Sequence, residues 1–242
     1  AGKKEQGNHV FNQTVVTTLI VLSIVSMIFY FGLPSLVNIF HAELMVKHYL
    51  LKYYAIMIFV YPMMMLNSCF GMFIRGQGKP KIFMFVTIVS IVMNTLLDYV
   101  FIDKLEYGLS GIAVASLLSV CFCTFIMVMY LQLRSPVFRL GQFNFSKKVL
   151  VDSMLNGSSE FIGQLTTGIT MFLFNWIILG EIGTDGLAAF TVVGYSSYIF
   201  NMIIIGFGQG ASPLMSFCYG AKDYLVCQKI RRTTYKYVAI IG

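Results

Sequence analysis

Charged residues fall in short clusters along this chain, separated by long stretches without Asp, Glu, Lys or Arg. Phe11 to Phe40 is one such stretch of thirty residues, Tyr53 to Ile74 one of twenty-two, and Tyr107 to Leu133 one of twenty-seven. Ile82 to Ile102 runs for twenty-one residues interrupted only by Asp98, Val149 to Gly180 is interrupted by Asp152 and Glu160, and Gly186 to Ala221 is free of charge over thirty-six. A helix needs about 20 apolar residues to cross a bilayer core. The pattern therefore predicts six spanning helices, and a seventh apolar run begins near Tyr237 and is cut by the end of the sequence. The sixth run is longer than a span requires, so it must tilt, bend or extend beyond the bilayer. Strands of a transmembrane barrel are about ten residues of alternating polarity, unlike these long runs that are apolar on all sides. The fold class expected is an all-α polytopic membrane protein.

Composition sharpens this. Of 242 residues, 57% are apolar and 11% charged, with a mean hydropathy of +0.78. Soluble domains carry about 25% charged residues, so a water-soluble reading is excluded. Assigning the loops alternately to the two sides places fourteen of the seventeen basic residues on one side, from Lys3 and Lys4 through Arg75, Lys79 and Lys81 and Arg134 to Lys148, to Lys222 to Lys236. The other side receives Lys47, Lys52 and Lys104 with Glu43, Asp103, Glu106, Glu181 and Asp185. The positive-inside rule makes the first side cytoplasmic, with loops around 1–10, 75–81, 134–148 and 222–236. The net charge of +7 is then a record of topology, and no nucleic-acid partner is expected. The partner is the lipid bilayer.

Cofactor chemistry finds little support. Cys69, Cys121, Cys123, Cys218 and Cys227 show no metal-ligand spacing, and His9, His41 and His48 fall in expected loops. Gly206, Gly208 and Gly210 lack the Lys-Ser/Thr ending of a phosphate loop, so no ATP-driven step is encoded and no cofactor is expected. Gly206 with Gly210, and Gly111 with Ala115, are spaced for close helix approach. Pro34, Pro62 and Pro213 lie within the runs, where proline bends helices.

Two acids survive inside the runs, and ionisable residues there usually mark ion or proton pathways. Thr87, Ser90, Asn94 and Asp98 recur at intervals of three, four and four, and Asn156, Glu160, Gln164 and Thr167 at four, four and three. Each set lies on one helical face. With a rise of about 1.5 Å per residue, Asp98 is about 6 Å inside the outer end of its run and Glu160 about 16 Å from the inner edge at Val149, so the two need not share a site. Asp152 is expected in the first turn of its helix, where the dipole favours an acid. Either carboxylate can take up and release a proton, and the same oxygens can hold a sodium ion. Two carboxylates at different depths, without a nucleophile and base pair or a metal set, do not make an enzyme site.

Gly2-Lys3-Lys4-Glu5 and Gly220-Ala221-Lys222-Asp223 both precede an apolar run, at an offset of 218 residues with six spans between. This suggests a parallel internal repeat, a form frequent in secondary transporters. The absence of an initial Met and the cut seventh run suggest that the sequence is one repeat length taken from a chain of about twelve helices.

Phe73-Ile74-Arg75-Gly76-Gln77-Gly78-Lys79-Pro80-Lys81 resembles the cytoplasmic loop after the fourth helix of multidrug and toxic compound extrusion (MATE) transporters. Asn94 to Ile102 resembles their fifth helix, Gly108 to Ser116 the start of their sixth, and Gly206 to Leu214 with Tyr219-Gly220-Ala221 the end of their eighth. The resemblance implies a two-lobed helical bundle. Residues 1–134 would be helices three to six in the amino-terminal lobe, 135–148 the cytoplasmic loop between lobes, and 149–242 helices seven, eight and the start of nine. It implies an antiporter that exports organic cations across the cytoplasmic membrane in exchange for H+ or Na+. In that family the amino-terminal lobe carries a cation site built from an acid on the first helix, an Asn and Asp on the fifth and a Thr on the sixth; the first-helix acid would lie outside this sequence, so the site is incomplete here. Asn94 and Asp98 match the pair and Ser116 stands at the Thr position, so a coupling Na+ would sit at Asn94 and Asp98. Glu160 and Gln164 are candidates for a second site on the seventh helix. A lipid-linked oligosaccharide flippase of related fold and a membrane scaffold without transport remain as alternatives; the first would need buried cations for a pyrophosphate, and no Lys or Arg lies deep in the spans.

Overall fold

The computed structural model describes residues 2–39, 44–141 and 143–241. Seven α-helices follow one another: α1 (Gly2–Ile39), α2 (Leu44–Gly76), α3 (Pro80–Tyr99), α4 (Gly108–Leu133), α5 (Lys147–Glu181), α6 (Thr184–Gly220) and α7 (Tyr224–Ile241). A π-turn, Val100–Lys104, continues α3. Six of these helices are long and apolar enough to cross a membrane, and no strand occurs among the described residues. Glu43 and His41, placed by sequence in a loop, lie outside the described residues.

Several helices reach further than the charge pattern suggests. The segment expected as a loop before residue 11 is already helical in α1, and that expected at 222–236 is helical from Tyr224. A helix satisfies its own backbone groups and can run past the bilayer into water, so a charged residue ends the apolar span without ending the helix. α5 likewise starts at Lys147, two residues before Val149, which leaves Asp152 beyond the first turn, where no acid is found. The dipole argument for Asp152 therefore fails. Glu160 lies about 20 Å along α5 from its start.

The chain divides into two compact units, Ala1–Lys147 and Lys148–Gly242. In the first, α4 packs against both α2 and α3, and α1 packs against α2. Its tightest core is at one end of the helices, where Phe11, Val15, Phe70, Ile74, Met127 and Leu131 are buried. Toward the middle of α1 the side chains Ile20, Ile24 and Ile28 stay exposed, as lipid-facing positions do. Lipid tails are as apolar as these side chains, so helix association here rests on close packing and interhelical hydrogen bonds.

Turn chemistry explains the motifs between helices. Between α2 and α3, Gly78 adopts φ +75°, a left-handed conformation suited to glycine, while Gly78 N–H donates to Arg75 O at 2.9 Å. Pro80 then opens α3, where its missing N–H costs no helical bond. Arg75 stacks over the Phe83 ring at 4.6 Å. In the second unit, Asp223 Oδ1 accepts the Val226 N–H at 3.2 Å and caps α7. Phe174 stacks on Phe190 at 5.7 Å between α5 and α6, and Phe207 on Tyr237 at 6.2 Å between α6 and α7.

The two small-residue pairs behave differently. Gly111 is buried against the π-turn, and a Cβ there would lie 2.9 Å from Phe101 Cβ and 3.3 Å from Phe101 O. Gly206 and Gly210 have no atom within 4 Å of a Cβ position and instead line an open cleft of about 750 Å³ between α6 and α7. The expected close approach at that second pair is absent among the described residues. Phe207, between the two glycines, stacks on Tyr237 of α7. Gly111→Ala is expected to destabilise the protein by about 1–3 kcal/mol through overpacking against Phe101, measured as a lower thermal unfolding midpoint in detergent.

Candidate functional site

The polar stripe of α3 faces α4. Ser90 Oγ donates to Ser119 O at 3.3 Å, Asn94 Nδ2 donates to Ser116 Oγ at 3.4 Å, and Ser119 Oγ donates to Ser116 O at 3.0 Å. Cys123 Sγ reaches Val86 O at 4.0 Å on the same seam. Three of the four stripe residues thus look toward α4 or sit in register with it. Thr87 is the exception, since its hydroxyl bonds back to Phe83 O at 2.9 Å within its own helix. Such back-bonding satisfies a hydroxyl without a partner helix.

Asn94 and Ser116 are therefore brought together across two helices. Asp98 lies one turn beyond Asn94 on the same face and is half-buried. Its Oδ1 is buried and has no hydrogen-bond partner among the described residues. A buried acceptor left without a donor costs on the order of 1–3 kcal/mol, so this oxygen is suited to take a proton or a cation. Immediately after it the helix widens into the π-turn, in which the Leu105 N–H bonds to Val100 O at 3.0 Å. Single π-turns of this kind are frequent at functional sites. Gly111 lets Phe101 of that turn lie against α4, which fixes the end of α3 beside the start of α4.

Asn67, on α2, did not stand out in the sequence. Its Nδ2 donates to Val120 O on α4 at 3.3 Å, one turn from Ser116, and its Oδ1 is also buried without a partner among the described residues. The available signal was Asn67 beside Ser68 within the otherwise apolar Met63 to Phe70 run.

On α5, Gln164 Nε2 donates to Glu160 Oε1 at 2.9 Å, so these two candidates form one local pair along their helix. Both are exposed in the second unit. Thr167 bonds back to Gly163 O at 3.0 Å. The stripe periodicity is realised, and its face is open.

A further apolar cleft of about 730 Å³ lies in the first unit between α1 and α2, lined by Phe29, Tyr54, Tyr61, Pro62 and Met65 among others. Its aromatic walls suit a flat apolar ligand, and Ser26 Oγ, bonded to Ile58 O at 3.3 Å, is its polar edge.

A family model described as MatE matches residues 1–100 and 161–242, well over half of the sequence. The chain belongs to the MatE family. This MatE chain is 23% identical over 167 residues to the multidrug export protein MepA of Staphylococcus saprophyticus, covering 68% of this chain and 37% of that protein. It is 28% identical over 159 residues to a probable multidrug resistance protein, NorM, of Agrobacterium fabrum, covering 62% and 34% respectively. A solved MOP superfamily transporter from Pyrococcus furiosus has the same fold, with a TM-score of 0.90 and 21% identity over 98% of this chain and 53% of that one. The MatE chain thus spans about a third of the length of these curated relatives and about half of that of the solved structure.

Ser116→Ala removes the acceptor of the Asn94 amide. Interhelical hydrogen bonds in membrane proteins average about 0.6 kcal/mol, so the variant is expected to lose no more than about 1 kcal/mol of stability and to keep its fold, read by thermal unfolding in detergent.

Proposed function

We propose that this MatE chain is part of a secondary antiporter of the cytoplasmic membrane that exports organic cations in exchange for H+ or Na+. The observation that carries the reading is the buried, unpartnered Asp98 Oδ1 beside the Asn94–Ser116 pair. Asp98 is the coupling acid, Asn94 and Ser116 supply neutral oxygen and amide groups around the ion, and the α3–α4 seam holds them in place. An acid on this face can exchange one proton or one sodium ion per cycle without leaving a second charge in the apolar seam.

Glu160 and Gln164 form the second candidate station, supported by their spacing and their mutual hydrogen bond. The apolar, aromatic cleft beside Tyr54 and Tyr61 offers a surface for flat cations through ring faces. Relatives that carry multidrug export and resistance names agree with this substrate class.

The test is efflux of a fluorescent organic cation from cells or inverted vesicles carrying the full-length gene, with H+ and Na+ gradients imposed separately. Asp98→Asn is expected to reduce gradient-driven export to the background of vesicles lacking the protein while membrane levels stay normal; undiminished export would overturn the role of Asp98. Ser116→Thr, which keeps the hydroxyl, is expected to retain export where Ser116→Ala lowers it. Glu160→Gln is expected to lower export as well.

A further inference from the structure

The segment that follows α4 carries an unusual set of side-chain bonds to its backbone. It begins at Ser135, which is 1% exposed, and whose Oγ accepts the Gln77 Nε2 at 2.6 Å and the Phe138 N–H at 2.9 Å. Gln77 belongs to the turn between α2 and α3, so the first residues of the segment are fastened to that turn.

The rest is held by α1. Asn8 Oδ1 accepts the Arg139 N–H at 2.8 Å. Asn12 Nδ2 donates to Arg139 O at 3.0 Å while Asn12 Oδ1 accepts the Gly141 N–H at 2.9 Å. Gln13 bonds both backbone groups of one residue, its Nε2 donating to Ser146 O at 2.8 Å and its Oε1 accepting the Ser146 N–H at 3.1 Å. The Gln13 carboxamide thereby imitates the double bond pattern of a paired strand. Asn12 is 3% exposed and Gln13 2%, although both stand at the head of a run that reads as membrane-spanning. Phe138 adds an apolar anchor, with its ring 5.4 Å from Phe11 and 5.0 Å from Phe73.

Buried amides are costly unless every polar atom is answered. Here the answers come from one short stretch of backbone, which itself has no secondary structure to satisfy it. The two requirements are complementary. The last clamped residue, Ser146, is followed at once by Lys147, the first residue of α5.

We propose that residues 135–141 and 143–146 are no flexible tether but a fixed part of the first unit, clamped by the carboxamides of Asn8, Asn12 and Gln13. The division of the chain after Lys147 agrees with this assignment. The inference rests on the clamp geometry and stands whether or not the protein transports cations.

Hydrogen–deuterium exchange of the full-length protein in detergent, read by mass spectrometry on peptides covering 135–148, tests it. Protected amides at Arg139, Gly141 and Ser146 are expected in the unaltered protein, against unprotected exchange for a free tether. Asn12→Ala with Gln13→Ala is expected to speed exchange at Gly141 and Ser146 by at least about tenfold while α2 to α4 keep their protection. Asn8→Ala, at a half-buried position, is expected to speed exchange at Arg139 alone, and it serves if the double variant fails to fold. Rapid exchange of these amides in the unaltered protein, or slow exchange that neither variant changes, would overturn the clamp.

Discussion

In a bilayer each helix must satisfy its own backbone, which leaves side-chain polar groups as the demands that neighbouring elements have to meet. The first unit is organised by that constraint. Where α3 meets α4, Ser90, Asn94, Ser116 and Ser119 answer one another or the facing carbonyls across a seam of small residues. Where α1 meets the segment after α4, Asn12 and Gln13 answer a backbone that has no ladder of its own. Among the described residues, Asn67 Oδ1, Gln77 Oε1 and Asp98 Oδ1 are buried without such an answer, and Asp98 is the acid of the three. A carboxylate left unanswered on this face is where an exchangeable proton or cation fits.

The same seam depends on size as much as polarity. Gly111 and Ala115 are both buried on α4, and Gly111 admits Phe101 of the π-turn at a distance that a Cβ would not allow. The π-turn in turn follows directly on the helix end that carries Asp98. Acid, turn and glycine thus adjoin one another, since Phe101, which packs on Gly111, stands three residues beyond Asp98. In the second unit, a glycine pair of the same spacing does something else. Gly206 and Gly210 line a cleft, beside which Phe207 stacks on Tyr237 of α7. Spacing of small residues permits close approach, and the residues around them decide whether it happens.

Much of the fold was legible from charge spacing. Six long runs with few or no charges gave six helices, because a charged residue in the bilayer core is costly. The limits of the helices were less legible. α1, α5 and α7 extend through residues whose charges suggested loops, since a charge ends a span but a helix ends only where its capping and turn residues say so. Gly78, Gly183 and Asp223 mark such ends, and each was visible as a residue type but not as a boundary.

By itself the sequence determined the polytopic helical class, the number and order of the spans, the polar faces of α3 and α5, and, through its motifs, the resemblance to MATE transporters. These follow from periodicity and from the cost of charge in lipid, both of which act along a single helix. Only the tertiary structure decided that Asn94 meets Ser116 while Thr87 turns back on its own helix, that Asn67 joins the seam from α2, and that Gly206 and Gly210 face open space. It alone showed that Asn8, Asn12 and Gln13, read as the edge of a span, hold backbone 127 to 133 residues away. Contacts between distant segments depend on which helix faces are pressed together, and no spacing within one helix encodes its neighbour.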